Sequence, residues 1–188
     1  MEGFPSVTVL RLGHRPGRDG RMTTHVGLTA RALGADRVII AGEAADAIDS
    51  IQDVADRFGG DFTIDRDDHW RSVIRDWTGR IIHLTMYGLP IQAVEEDIRR
   101  VFQENEDSLL VIVGAEKMPF DVYEAADWNV AVTNQPHSEV AGLAVFLHRL
   151  FQGAELERHW PGGQVEVIPK ATGKRMIESD TKPTETDS

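Results

Sequence analysis

Four arginines, Arg11, Arg15, Arg18 and Arg21, fall within the stretch RLGHRPGRDGR against a single acid, Asp19, in a chain of 188 residues with a formal net charge of −11. A guanidinium is a rigid fork of donors that matches a phosphate, so such a cluster in a glycine-bearing loop suits contact with a nucleic-acid backbone. Three further loops carry polar groups able to face a ligand: TMYGLP after RIIHL, GAEKMP after LLVIVG, and TNQPHSE after NVAV. Any one of them reads as a turn that uses Gly and Pro for their backbone angles, whereas four together read as a site. His14, His25, His83 and His137 share no H-x-x-x-H or H-E-x-x-H spacing, and the chain has no cysteine. That argues against metal catalysis and removes thiolate nucleophiles and disulfides. Neither G-x-G-x-x-G after a strand nor G-x-x-x-x-G-K-[ST] occurs, which weighs against a dinucleotide-dependent dehydrogenase and against P-loop chemistry.

Loops that follow strands converge only if the strands are parallel and end at one edge. VTVLRL (Val7 to Leu12), RVIIA (Arg37 to Ala41), RIIHL (Arg80 to Leu84), LLVIVG (Leu109 to Gly114) and NVAV (Asn129 to Val132) read as buried strands, with a weaker one in DFTI after Asp61. Ile48, Ile51, Ala55 and Phe58 line one helix that Gly59 and Gly60 end. Ile91, Val94, Ile98, Val101 and Phe102 line a second behind Pro90, and Val140, Leu143, Ala144 and Leu147 a third. This alternation predicts an α/β fold with a mainly parallel sheet covered by helices on both faces. No apolar run is long enough to cross a membrane and no leader is visible, so the expected location is the cytoplasm. One domain is expected over residues 1–152, a short extension with one strand (Gln164 to Pro169) over 153–177, and a disordered tail over 178–188. His83 and the four tryptophans, Trp70, Trp77, Trp128 and Trp160, read as packed residues, and Glu116 with Lys117 as a loop salt bridge or partner contact.

Taken in order, LRLGHRPGRDGRMTTHVGLTARALGAD, HLTMYGLPI, IVGAEKMP and NVAVTNQPHSEVAGLAVFL resemble the archaeal tRNA (cytidine-56) 2′-O-methyltransferases of the SPOUT superfamily, from about Val7 to Leu147. The resemblance implies a C-terminal trefoil knot, a rarity among folds. It implies S-adenosylmethionine as cofactor, held by Leu84, by Gly114, Ala115, Glu116, Lys117 and Met118, and by Val132, Thr133, Asn134, Gln135, Pro136, His137, Ser138 and Glu139. The third of these segments departs from the usual Ser-Leu-Asn-Val form. The resemblance further implies a homodimer, a tRNA partner, and methyl transfer to the ribose 2′-hydroxyl of cytidine 56 in the T-loop. SPOUT ribose methyltransferases place an arginine of the first motif near that hydroxyl; Arg21 and Arg31 are both candidates, with His25 beside them. Arg15, Arg18 and Arg21 are the expected phosphate contacts.

Two competing readings remain. The arginines of the first loop can pair with acids of the chain's own surface instead of phosphates. A non-catalytic RNA-binding module on the same scaffold would keep the arginine loop and fail to bind S-adenosylmethionine. The region from Glu43 to Asp76, with ten acids against four arginines, reads as a solvated outer face that repels RNA docked on the wrong side.

Overall fold

The computed structural model describes residues 5–104, 107–114 and 117–178. Six strands, β1 (Val7–Leu12), β2 (Arg37–Ile40), β3 (Thr63–Arg66), β4 (Arg80–Pro90), β5 (Leu109–Gly114) and β6 (Trp128–Ala131), form one sheet in the order β3-β2-β1-β5-β4-β6. Every neighbouring pair in it is parallel. β1 and β5 lie at the centre, buried on both faces, which is why their sequences are near-continuous apolar runs.

Helices α1 (Gly20–Ala32), α2 (Ala45–Phe58), α4 (Ile91–Glu104) and α6 (Glu139–Phe151) cover one face of the sheet, where Val26, Ile51, Ile98 and Leu143 pack with Val9, Ile82 and Val111. Two six-residue helices, α3 (Trp70–Arg75) and α5 (Phe120–Ala125), cover the other through Ile74 and Val122, which meet Leu10, Ile39, Leu110 and Ile112. The Ser138 hydroxyl starts α6 by accepting from the Ala141 amide at 3.2 Å, and Glu139 lies in the first turn, where the helix end favours an anion.

Several expectations need correction. β4 continues to Pro90 instead of stopping at Leu84, and β6 lies one residue earlier than NVAV. α3 and α5 escape a periodicity reading because six residues do not complete an amphipathic repeat. On α6, Phe146, Leu150 and Phe151 join Leu143 and Leu147 in the core, while Ala144 is half-buried. After α6 come a 3₁₀ turn (Ala154–Glu157) and an antiparallel hairpin, β7 (Val165–Ile168) with β8 (Arg175–Glu178). β8 was not anticipated, and Glu178, placed in the polar tail, pairs with Val165; residues 179–188 lie outside the described residues. The turn leading to the hairpin packs on the end of α2, where Gly59, at φ 77°, has Pro161 and Gly163 too close for a side chain. No described helix is long and apolar enough to cross a membrane.

Candidate active site

The site forms where β4 leaves its ladder with β6. The two strands are in register to Leu84–Val130 and pair again at Leu89–Val130 and Pro90–Ala131, so Thr85, Met86, Tyr87 and Gly88 loop out between. Gly88 permits this: a Cβ there would stand 2.5 Å from the Asn129 carbonyl and 2.6 Å from the Val130 amide nitrogen. The loop after β6 is tied to the same bulge, since the Asn134 amide donates to the carbonyls of Met86 at 2.7 Å and Gly88 at 3.1 Å.

Between the bulge, the end of β5 and the start of α6 lies a cavity of about 970 Å³. That is within the roughly 300–1,000 Å³ of small-molecule sites, at the carboxyl edge of the sheet where α/β proteins bind ligands. Of the residues singled out in the sequence, Leu84, Gly114, Lys117, Met118, Val132, Pro136, His137 and Glu139 line it. Asn134 instead anchors the bulge and Ser138 caps α6, while Thr133 and Gln135 are exposed. Ala115 and Glu116 lie outside the described residues. The loop TMYGLP, singled out in the sequence, supplies Thr85, Met86 and Tyr87, which were not named one by one; Val113, Phe120, Tyr123, Val130 and Gly142 were missed. Sequence reasoning read His83 as a packed or hydrogen-bonded strand residue; the side chain is fully buried and hydrogen-bonded to Asn129, and the residue is one of those that line the cavity.

Two buried polar groups mark this end of the sheet. Arg11, in the middle strand, is fully buried; its Nη1 donates to the Leu12 carbonyl at 2.8 Å, and Nη2 is 4.0 Å from a carboxylate oxygen of Glu139. Its Nε and Nη2 make no hydrogen bond among the described residues, and burial lowers its pKa although Glu139 and Asp19 oppose that. His83 places Nδ1 2.8 Å from Oδ1 of Asn129, and burial pushes its imidazole below the ordinary value.

The arginine loop adjoins the carboxyl end of β1. Arg15 grips Asp19 in a two-pronged ion pair, Nε to Oδ2 at 2.7 Å and Nη2 to Oδ1 at 3.0 Å, and the Asp19 pKa falls to about 2, chiefly through that hydrogen bonding. Arg15 is thus partly spent on its own loop, as the competing reading anticipates. Arg18 and Arg21 are exposed and pair with no described acid. Arg21 and His25 are one turn apart on α1 and both exposed, outside the cavity wall. Arg31 is not brought to the site. Ten residues beyond Arg21, about 15 Å along the helix axis, it is buried at the opposite edge of the sheet. There Nη2 donates to the Gly59 carbonyl at 2.6 Å and the guanidinium lies 4.3 Å from the ring centroid of Trp160.

A parallel sheet with helices on both faces is an architecture shared with solved methyltransferases. An RNA 2′-O ribose methyltransferase superposes with a TM-score of 0.57 at 17% identity, covering 80% of this chain and 57% of that one. The SpoU methyltransferase AviRb of Streptomyces viridochromogenes, solved in complex with AdoMet, superposes with a TM-score of 0.51 at 18% identity, covering 81% and 59%. The family model described as tRNA ribose 2′-O-methyltransferase, aTrm56, matches residues 58–177. The tRNA (cytidine(56)-2′-O)-methyltransferase of Natronomonas pharaonis is 62% identical over 176 residues, 94% of this chain and 97% of the relative. That of Haloarcula marismortui is 59% identical over 180 residues, 96% and 99%. That of Pyrococcus horikoshii is 51% identical over 173 residues, 92% and 85%. The fold is thus shared with these methyltransferases, and the sequence matches define the class as a tRNA ribose 2′-O-methyltransferase. The chain belongs to the archaeal tRNA (cytidine-56) 2′-O-methyltransferase family.

Proposed function

We propose that this chain transfers the methyl group of S-adenosylmethionine to the ribose 2′-oxygen of cytidine 56 in tRNA. The observation that carries the reading is the cavity at the β4 bulge, built by three motifs that occur in order in a chain matching its named relatives almost end to end. Its walls suit the cofactor: Leu84, Met118, Val130 and Val132 offer apolar surface for a flat base, and Glu139 offers an acceptor for its donor groups. When bound, the cofactor supplies an activated methyl on a sulfonium. The chain's own residues then have to orient that methyl against the ribose and stabilise the charge that develops on the 2′-oxygen.

Arg21 is the candidate for that second task, with His25 on the same exposed helix face. An arginine stays protonated, so it acts by stabilising the forming alkoxide; the 2′-hydroxyl proton passes to solvent water, and the electrons of the broken S–CH3 bond stay on sulfur, which leaves S-adenosylhomocysteine. Arg18 and Arg21 contact phosphates, and Arg15, braced by Asp19, sets the shape of the loop that presents them while adding its own charge. Because Arg21 does not line the cavity of its own subunit, the reading includes a homodimer in which a second copy meets the groove between α1 and α6 that His25, Leu28, Ala32 and Ala144 line. It also includes a trefoil knot around the β4 bulge, a methyltransferase unit over residues 1–152 with the hairpin region as an appendage, and a cytoplasmic location where tRNA is met.

The test is transfer of labelled methyl from S-adenosylmethionine to unmodified archaeal tRNA, with the product nucleoside identified by mass spectrometry. 2′-O-methylcytidine at position 56 is the expected product. A methyl on a base, or tRNA binding without any affinity for S-adenosylmethionine, overturns the proposal, the second outcome in favour of a non-catalytic RNA-binding module.

A further inference from the structure

His83 is a polar residue in an otherwise apolar strand, and its surroundings fix the hydrogen-bonding character of its ring. The Nδ2 of Asn129 donates to the Tyr123 carbonyl at 2.9 Å, so the end of Asn129 turned toward the histidine is Oδ1, which can only accept. His83 Nδ1, 2.8 Å away, must therefore carry the proton, and Nε2 is left as a bare lone pair. The ring of Tyr123 stands edge-on to the imidazole, centroids 4.6 Å apart at 85°, and its hydroxyl lies 3.3 Å from Thr85 Oγ1 in the bulge. Packing and hydrogen bonding thus hold the imidazole in one orientation. Nε2 is buried, and no described residue gives it a hydrogen bond. The residue is fully buried and is one of those that line the cavity. An unmet acceptor in a strand interior is a standing cost to the fold, and a leucine or phenylalanine would remove it.

We infer that His83 Nε2 is a built acceptor site for the ligand: it takes an N–H or O–H donor of bound S-adenosylmethionine and makes the cavity selective for that donor. The inference rests on the cofactor assignment made above. The molecule carries three such donors, the 6-amino group of the base, the ribose hydroxyls and the amino-acid ammonium; its sulfonium and carboxylate offer none. Asn129 and Tyr123 are positioning residues, since they fix the tautomer and the plane of the ring without forming the ligand contact. A site built to hydrogen-bond a donor discriminates strongly against analogues that lack it, because the buried partner is then left unpaired.

The experiment measures the affinity of the full chain for S-adenosylhomocysteine by calorimetry in the wild type, in His83→Phe, which keeps a flat ring and loses the acceptor, and in His83→Gln, which returns an oxygen acceptor. About a tenfold weakening in His83→Phe is expected, with partial recovery in His83→Gln. Ligand-free His83→Phe should unfold no lower than the wild type, whereas a merely structural role would lower it. Three analogues then identify the donor: one with a 6-hydrogen purine, one with a dideoxyribose, one without the amino-acid nitrogen. The wild-type advantage over His83→Phe should vanish for one of them. Nitrogen NMR of histidine-labelled wild-type protein needs no substitution: the Nε2 resonance should move upfield when ligand binds. Equal affinity in wild type and His83→Phe, an advantage that persists for all three analogues, or an unmoved Nε2 resonance overturns the inference. A wild-type protein that binds no S-adenosylhomocysteine instead refutes the cofactor assignment itself.

Discussion

Substituting Gly88 and Gly114 separately by alanine separates a backbone requirement from a side-chain one. At Gly88 the new methyl would stand 2.5 Å from the Asn129 carbonyl and 2.6 Å from the Val130 amide nitrogen, all of it strand backbone held in the sheet. Real Cβ contacts essentially never come closer than 3.0 Å, so the bulge must lift away from β6, straining the Asn134 hydrogen bond to the Gly88 carbonyl. Overpacking of this kind costs about 2 kcal/mol, of which the entropy gained by replacing a glycine returns roughly 0.5. The net of about 1.5 kcal/mol corresponds to a Tm lower by roughly 3–6 °C in a chain of this size. At Gly114 the three nearest atoms to the methyl all belong to the flexible side chain of Met118, which can swing away, so the expected stability change is under about 1 kcal/mol. Met118 lines the cavity, however, and displacing it should weaken S-adenosylmethionine binding without unfolding the protein. Calorimetric unfolding of the ligand-free proteins, followed by cofactor titration at a temperature where both are folded, makes the comparison. A Gly88→Ala protein with unchanged Tm and unchanged affinity would refute the claim that this glycine permits the bulge.

Further outcomes follow from the charged and capping groups. Arg18→Ala and Arg21→Ala should each flatten the salt dependence of tRNA binding by about 0.7–0.9 in slope; only Arg21→Ala should also lower turnover by roughly 10² at unchanged cofactor affinity, read from single-turnover methylation. Arg11→Met should leave unfolding free energy equal or higher, because it removes a buried charge with two unpaired donors and leaves Glu139 in contact with solvent; a loss above about 2 kcal/mol would mean the charge is compensated. Ser138→Ala should cost about 1 kcal/mol by chemical denaturation, as the amide of Ala141 loses its cap. For His83 the sign is set by a folded-state pKa below the unfolded one: the unfolded chain binds the extra proton, so stability rises with pH in the window beneath the ordinary histidine value near 6.5. The wild type should therefore lose more stability than His83→Phe as pH falls through that window, by no more than about 1.4 kcal/mol per pH unit.

The parallel sheet was legible because both-face burial leaves a plain mark. Val7–Leu12 and Leu109–Gly114 have no room for polar residues except where something holds them, so their limits coincide with the apolar runs. Elements with no such constraint were not legible. The hairpin strand Arg175–Glu178 is exposed throughout, and its adjacent Met176 and Ile177 show neither alternation nor an apolar run long enough to read as a strand. The helix Phe120–Ala125 buries chiefly Val122, too little to impose a period, yet it delivers Tyr123 to the cavity.

The site divides along the same physical line. Residues contributed by loops directly after strands, such as Gly114, Lys117 and His137, were within reach because parallel strands bring those loops together whatever their details. TMYGLP was among those loops, but its form as a bulge within a strand that runs on to Pro90 was not legible, since it depends on β4 pairing with Val130 twice, a register no local pattern encodes. Other signals were present in the sequence. Arg21 and Arg31 are ten residues apart in one helix, which sets about 15 Å between them and allows only one to face a given ribose; the carboxyl-edge rule favours Arg21, nearer the strand that precedes the helix. Arg11 and His83 each interrupt an apolar strand with a costly polar side chain, and the structure buries both with donors or an acceptor unmet. In a central strand such an interruption has no solvent to satisfy it, so a reader of VTVLRL and RIIHL has grounds to look for what each residue is held to meet. Across the sheet Glu139, which lines the cavity, lies 4.0 Å from Arg11. The two polar interruptions thus lie beside cavity residues, Arg11 beside Glu139 and His83 beside Leu84, and each keeps a polar atom that the described residues leave unmet.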